Sequence, residues 1–109
     1  DEISPFAKTK IIELSNNKIK KFIIDPIQFN ITKKNKDNLK GKNAEYNAQK
    51  IIEIYKGEDN EFSDAVALNV AAGLITVDNK KKFLDSYNLA KQHLKSGKVF
   101  DHLKKIQTI

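Results

Sequence analysis

The run "AVALNVAAGLITV" (residues 65–77) decides how this chain folds, because it is the longest apolar stretch in the sequence. It is shorter than the roughly 20 residues that a membrane-spanning helix needs, and Asn69 interrupts it. Drawn as a helix, it is apolar on nearly all sides, which is typical of a helix buried among neighbours. The sequence therefore predicts a core helix from about Ser63 or Asp64 to Val77, and no membrane segment.

Three further helices are predicted around this core helix. The first has Asn43 as its N-cap and ends at Gly57, a position that suits a left-handed C-terminal cap. A third ends at Gly97, and a short fourth follows it. The apolar faces predicted by a period of 3.6 residues are Ala44, Ala48, Ile51, Ile52 and Tyr55 in the first helix, Phe83, Tyr87, Ala90 and Leu94 in the third, and Val99, Phe100, Leu103 and Ile106 in the fourth.

The first quarter of the chain instead predicts a β-hairpin. The runs "TKIIELS" (9–15) and "KIKKFII" (18–24) are rich in β-branched residues and are separated by Asn16 and Asn17, which tolerate positive φ. Pro26 ends the second strand because it has no N–H to donate. Residues 27–42 are polar and lysine-rich, which predicts an irregular crossing on the surface.

These elements predict the fold class: an α/β fragment with a hairpin at about 9–25 and a helical array at about 43–107. A two-stranded hairpin is marginal by itself, and a helix that is apolar all round needs cover on every side. We therefore expect the chain to be part of a larger α/β domain whose main sheet lies upstream. The sequence contains no methionine, which also suggests a processed product or a piece of a longer protein.

Composition restricts the partners only weakly. The net charge is +6, and all 20 cationic side chains are lysines, without the planar guanidinium that grips phosphate or guanine with two bonds. The lysines are spread along the chain, which favours a solvated surface over nucleic-acid binding. Cysteine is absent, which excludes a disulfide framework and a thiolate metal site.

Few residues are candidates for chemistry. His93 and His102 each lack companions at ligand spacing, so we interpret both as structural or surface residues. Asn69 in the core helix and Asn47 in the first helix are interpreted as tethers from a helix to neighbouring backbone. Asp1 and Glu2 offer two adjacent carboxylates, which Mg²⁺ accepts when water and a substrate phosphate complete its shell. By itself this pair is also common surface chemistry.

Several motifs together resemble anthranilate phosphoribosyltransferases. They are "NAEYNAQKIIEIYKGE" (43–58), "SDAVALNVAAGLITVDN" (63–79) and "AKQHLKSGKVFDHLKKI" (90–106), preceded by "DEISP" (1–5), the T-x-I-x-E-L strand and "DPIQFN" (25–30). The resemblance covers essentially the whole chain, but only the last third or so of a family member. It implies that residues 1–109 are the C-terminal part of the family's α/β phosphoribosyltransferase domain.

The resemblance also implies a reaction and its cofactor. Family members transfer phosphoribosyl from phosphoribosyl pyrophosphate to anthranilate in tryptophan biosynthesis, with Mg²⁺ held by an adjacent Asp-Glu pair. Carried onto this sequence, the pair is Asp1 and Glu2, and no catalytic residue is predicted in the rest of the chain. The family's glycine-rich loop and anthranilate-contacting residues lie upstream, so we expect these 109 residues alone to be inactive.

The resemblance further implies a cytoplasmic enzyme that forms a homodimer through an N-terminal domain, with no nucleic-acid or membrane partner. The alternative hypothesis is a small lysine-rich interaction module that binds an acidic partner or nucleic acid. The two hypotheses differ in what precedes Asp1 in the reading frame. The first expects a glycine-rich loop there, and the second expects a nearby methionine.

Overall fold

The computed structural model describes residues 2–32 and 35–109; Asp1, Lys33 and Lys34 lie outside the described residues. A two-stranded antiparallel hairpin is followed by two short 3-10 helices and then by four α-helices, as the predicted α/β fragment requires. The strands are β1 (Thr9–Ser15) and β2 (Lys18–Ile24), and the 3-10 helices are Pro26–Phe29 and Lys36–Leu39. The helices are α1 (Ala44–Tyr55), α2 (Glu61–Val77), α3 (Phe83–Lys95) and α4 (Lys98–Gln107).

The predicted hairpin is confirmed together with its turn. Asn16 and Asn17 have φ angles of 50° and 60°, and Ser15 pairs with Lys18 across this two-residue loop. Such a turn matches the twist of the flanking strands, which explains the choice of two asparagines. One face of the hairpin packs inward through Ile11, Phe22 and Ile24. The opposite face, which we call the outer hairpin face, exposes Ile12, Leu14, Ile19 and Ile23.

The segment after the hairpin differs from the predicted surface crossing. Phe29 and Ile31 are buried, and the Phe29 ring lies 5.1 Å from that of Tyr87 in an edge-to-face contact. The Asp25 carboxylate accepts a hydrogen bond from the Ile27 backbone N–H at 3.1 Å and caps the first 3-10 helix. This tight turn brings Phe29 back onto the core, so the prediction of an irregular surface segment was wrong for these two residues.

The helix caps agree with the predictions at three places and differ at a fourth. The Asn43 side chain accepts from the Tyr46 N–H at 2.9 Å at the start of α1, and Gly57 and Gly97 have positive φ as expected. The core helix α2, however, starts at Glu61 rather than at Ser63 or Asp64. A reciprocal capping box causes this earlier start, because Asn60 caps the Ser63 N–H while Ser63 Oγ accepts from the Asn60 N–H.

The apolar faces of α1 and α2 also differ from the predictions. In α1 the buried residue is Ile54, at 2% exposure, whereas Ala44, Ala48 and Ile51 are exposed. Only the C-terminal half of α1 is covered by the rest of the described chain, and this docking selects the face. The helix α2 is not covered on every side, since Val77 is 88% exposed.

The predicted stripe on α3 is confirmed and completes the core. Tyr87, Ala90 and Leu94 are buried, with Phe83 half-buried beside them. Tyr87, Ala90 and Phe83 share one cluster with the small residues Ala67 and Ala71 of α2, whose short side chains allow the two helices to approach closely. The core therefore lies between α2, α3 and the inner face of the hairpin, and it also includes Ile3 from the N-terminal segment.

Two glycines should respond in opposite ways to alanine. Gly57 has φ of +109°, and a Cβ there would lie 2.9 Å from the Lys95 carbonyl oxygen. We expect Gly57→Ala to lower the free energy of unfolding by about 1–3 kcal/mol. Gly73 lies inside α2 with open space around it, so Gly73→Ala should raise the same quantity by about 0.5–1 kcal/mol. Urea unfolding checks both, and equal effects would contradict this account of the α1–α3 contact.

Candidate functional site

The N-terminal segment lies against α2 and contains the described half of the predicted metal pair. Residues 2–8 form no helix or strand, so side chains hold their backbone in place. Ser4 donates its N–H to Thr9 Oγ1 at 3.1 Å, and Ser4 Oγ accepts from the Phe6 N–H at 3.1 Å. Glu2 is exposed at the start of this segment, and the next residue, Ile3, is buried.

Asn69 makes the strongest connection between the segment and the helix. Its Oδ1 accepts from the Ile3 backbone N–H at 2.9 Å, and its Nδ2 donates to the Ile3 carbonyl at 3.1 Å. The same Nδ2 also donates to the Ala65 carbonyl, one turn earlier in α2, at 2.9 Å. The prediction of a tether is thereby confirmed, and its target is the residue that follows the predicted metal pair.

The predicted ligands, two adjacent carboxylates, suit Mg²⁺ better than a metal ion that is coordinated by protein side chains alone. Of the predicted ligands, Glu2 offers an exposed carboxylate, whereas Asp1 lies outside the described residues. Within residues 2–32 and 35–109, no three His, Cys, Asp or Glu side chains come together as a metal site. Mg²⁺ commonly takes one or two carboxylates and fills its shell with water and phosphate oxygens, so a pair at this position fits it.

Asn47 has the tethering role that the sequence predicted, and the two histidines lie on the surface. Asn47 Oδ1 accepts from the Lys42 N–H at 2.9 Å, and its Nδ2 donates to the Lys42 carbonyl at 3.4 Å, which confirms a second tether. Both His93 and His102 are exposed. His93 borders an apolar groove lined by Val70, Leu74 and other residues of α2–α4.

A cluster that the sequence analysis missed joins α2 to α3; we call Asp59, Ser63, Asp64, Tyr87 and Lys91 the α2–α3 cluster. Lys91 Nζ contacts Asp59 Oδ1 and lies 2.6 Å from Asp64 Oδ1 and 3.1 Å from Ser63 Oγ. The side chains of Lys91 and Asp64 are only 14% and 7% exposed. Two carboxylates thus compensate one nearly buried ammonium, and this pairing holds the two helices together.

The protonation states of the cluster follow from its contacts. The hydrogen bond from Lys91 lowers the pKa of the Asp59 carboxyl well below its usual range; burial opposes this effect and Lys95 adds to it. Burial, followed by the charge of Asp64, raises the pKa of the Tyr87 phenol. Tyr87 is therefore protonated at neutral pH and donates to Asp64 Oδ1 at 3.2 Å. These groups satisfy one another, which suits a structural clamp.

One signal in the sequence could have indicated this cluster. Asp64 lies near the start of a helix that is mostly apolar, and a buried carboxylate needs a cationic or hydrogen-bonding partner. Lys91 follows Tyr87 by four residues, which places it beside the buried stripe of α3. Because the pairing joins residues 27 positions apart, periodicity within either helix could not show it.

None of the helices in the described part of the chain is long and apolar enough to cross a membrane. The model of the glycosyl transferase family, a/b domain, matches residues 1–100. The chain therefore belongs to this family, in agreement with the resemblance that the motifs of its sequence indicated.

Similar proteins carry one name and are about three times as long. The anthranilate phosphoribosyltransferase of Pelagibacter ubique is 49% identical over 109 residues, which are 100% of this chain and 33% of that protein. The enzyme of the same name from Syntrophomonas wolfei is 31% identical over 106 residues, covering 97% of this chain and 31% of the relative. The one from Methanococcus maripaludis is 30% identical, with coverages of 100% and 33%. The chain thus spans about a third of the length of the curated relatives it matches.

Proposed function

We propose that this chain is a segment of an anthranilate phosphoribosyltransferase, which transfers phosphoribosyl from phosphoribosyl pyrophosphate to the amino group of anthranilate. The observation that carries the proposal is the family match over residues 1–100, together with relatives of that one name across the whole chain. Tryptophan biosynthesis is the route to which this reaction belongs in the resemblance described above.

Within this proposal, Asp1 and Glu2 hold Mg²⁺ for the pyrophosphate. The bound ion supplies positive charge, which favours departure of a leaving group whose negative charge grows in the transition state. The chain's own contribution is to hold the exposed residue Glu2 in a segment whose next residue, Ile3, is anchored to α2. This anchor limits where the backbone of Glu2 can lie.

A direct assay tests the proposed function. The complete reading frame that encodes this chain is expressed and purified, and consumption of anthranilate is followed by its fluorescence after phosphoribosyl pyrophosphate and Mg²⁺ are added. We expect turnover that requires all three components, and no turnover from residues 1–109 alone. A complete protein that leaves anthranilate unchanged, or activity in the 109-residue segment, contradicts the proposal as stated.

Three further expectations from the resemblance stay predictions: the homodimer, the cytoplasmic location and the lack of nucleic-acid binding. The alternative of a lysine-rich interaction module has no observation in its favour. Two of the lysines, Lys50 with Glu53 at 2.7 Å and Lys104 with Asp101 at 2.9 Å, form local ion pairs along helices, and Lys91 pairs within the α2–α3 cluster.

A further inference from the structure

The side chain of Asn69 holds the backbone of Ile3 through two hydrogen bonds. Two hydrogen bonds that run in opposite directions engage both the N–H and the C=O of Ile3, at 2.9 and 3.1 Å. Neighbouring strands of an antiparallel sheet exchange bonds of the same kind. The pair therefore restricts rotation of the Ile3 backbone as well as its distance from α2.

The side chain of Ile3 fixes the same point from the other side. It is 5% exposed and belongs to the core cluster that contains Ala67, Leu68 and Ala71. The Cα atoms of consecutive residues are about 3.8 Å apart, so anchoring Ile3 restricts where Glu2 can lie. Because no strand or helix includes residues 2–8, the amide of Asn69 supplies the backbone bonds that a sheet would otherwise provide.

We propose that Asn69 is a positioning residue that, by anchoring Ile3, holds the backbone of Glu2 where its carboxylate can bind a divalent cation; this inference rests on the proposed function. Anchoring Ile3 in this way requires an amide side chain, because it accepts from the Ile3 N–H and at the same time donates to the Ile3 and Ala65 carbonyls. An aspartate in this place keeps the acceptor but turns a carboxylate oxygen toward two carbonyls. A leucine keeps the approximate volume and loses all three bonds.

The chain provides a matched control for this proposal. Asn47 makes the same pair of bonds to the backbone of Lys42, at 2.9 and 3.4 Å, but it lies on α1 and belongs to neither the N-terminal segment nor α2. Replacing either asparagine removes a helix-to-backbone tether. Only the replacement of Asn69 should disturb the cation site.

The test compares Asn69→Leu, Asn69→Asp and Asn47→Leu in the complete protein. Affinity for Mn²⁺ is measured by electron paramagnetic resonance with inorganic pyrophosphate present, and exchange of the Ile3 amide is measured by hydrogen–deuterium exchange. Loss of an outer-shell residue commonly weakens metal binding by 10–100-fold, so we expect a loss of about that size in both Asn69 variants. We also expect Ile3 exchange to accelerate by about tenfold or more in Asn69→Leu, which removes the acceptor of the Ile3 N–H, with Asn47→Leu unchanged in both measurements.

Three outcomes decide between the possibilities. The positioning role is overturned if both Asn69→Leu and Asn69→Asp bind Mn²⁺ with wild-type affinity. Asn69→Asp matters here because it keeps one bond and the size of the side chain. An equal loss in Asn47→Leu also overturns it, since the effect is then general destabilisation. A wild-type protein that binds Mn²⁺ and pyrophosphate but does not consume anthranilate refutes the proposed function, and the Asn69 comparison still decides the positioning role.

Discussion

Glu2→Gln in the complete protein is expected to lower kcat/KM for phosphoribosyl transfer by about 100-fold or more. The change keeps the shape of the side chain but replaces a charged oxygen ligand with a neutral amide, which Mg²⁺ accepts poorly. Loss of one group that stabilises developing negative charge commonly costs a factor of that size. A Mg²⁺ titration of the initial rate should also shift to higher concentrations, because the pair retains a single carboxylate.

Asp1→Asn is the companion variant and Glu45→Gln the control. Glu45 is an exposed residue in the first turn of α1, so its replacement removes the same charge outside the N-terminal segment. We expect the two pair variants to lose activity and the Glu45 variant to keep it. Unchanged turnover in both Asp1→Asn and Glu2→Gln would remove the pair from the proposed site.

Lys91→Met should have the largest effect on stability, a loss of about 3 kcal/mol in the free energy of unfolding. Methionine fills a similar volume but leaves the nearly buried Asp64 without the Lys91 ammonium, and removal of one partner from a buried ion pair costs about this much. Lys95→Met is the control, because Lys95 also pairs with Asp59, at 2.9 Å, but is 56% exposed. Its loss should be below about 1 kcal/mol, and equal losses in the two variants would contradict the role of burial.

The pH dependence of stability provides a second measurement on these variants. The pKa of Asp59 is depressed in the folded state, so its stabilising contribution is complete above the unfolded value of about 3.9. It is lost progressively as the pH falls below that value toward the folded pKa, where folding no longer favours the charged form. Urea unfolding between about pH 6 and pH 2 should therefore show a shallower acid loss for Lys91→Met than for the unaltered protein.

Local chemistry made much of the fold predictable. Asn16 and Asn17 indicated the hairpin, Asn43 and Gly57 indicated the limits of α1, and the stripe at Phe83, Tyr87, Ala90 and Leu94 indicated the buried face of α3. Each of these features depends on residues that are close together in the sequence, because β-turns, helix caps and the faces of a helix are determined by neighbours a few positions apart.

The errors concern contacts between distant parts of the chain. Phe29 is buried because a capped turn returns it to Tyr87, 58 residues later, and the face of α1 is chosen by where its end docks. The α2–α3 cluster has the same origin, since Asp64 and Lys91 meet only after both helices have packed. For the candidate site, the sequence indicated both the Asp1–Glu2 pair and a tethering role for Asn69. It could not indicate that Asn69 holds Ile3, which only the packing of α2 reveals.

The hydrogen bonds between Ile3 and Asn69 can form only late in folding. The two partners are separated by 66 residues, so during synthesis Ile3 is made several seconds before the asparagine that will anchor it. Closing a loop of that length costs chain entropy, which must be offset by contacts that already exist in α2 and α3. The hairpin can pair as soon as residue 24 is available. Ile3 is translated earlier but acquires its two backbone bonds only after α2 has formed.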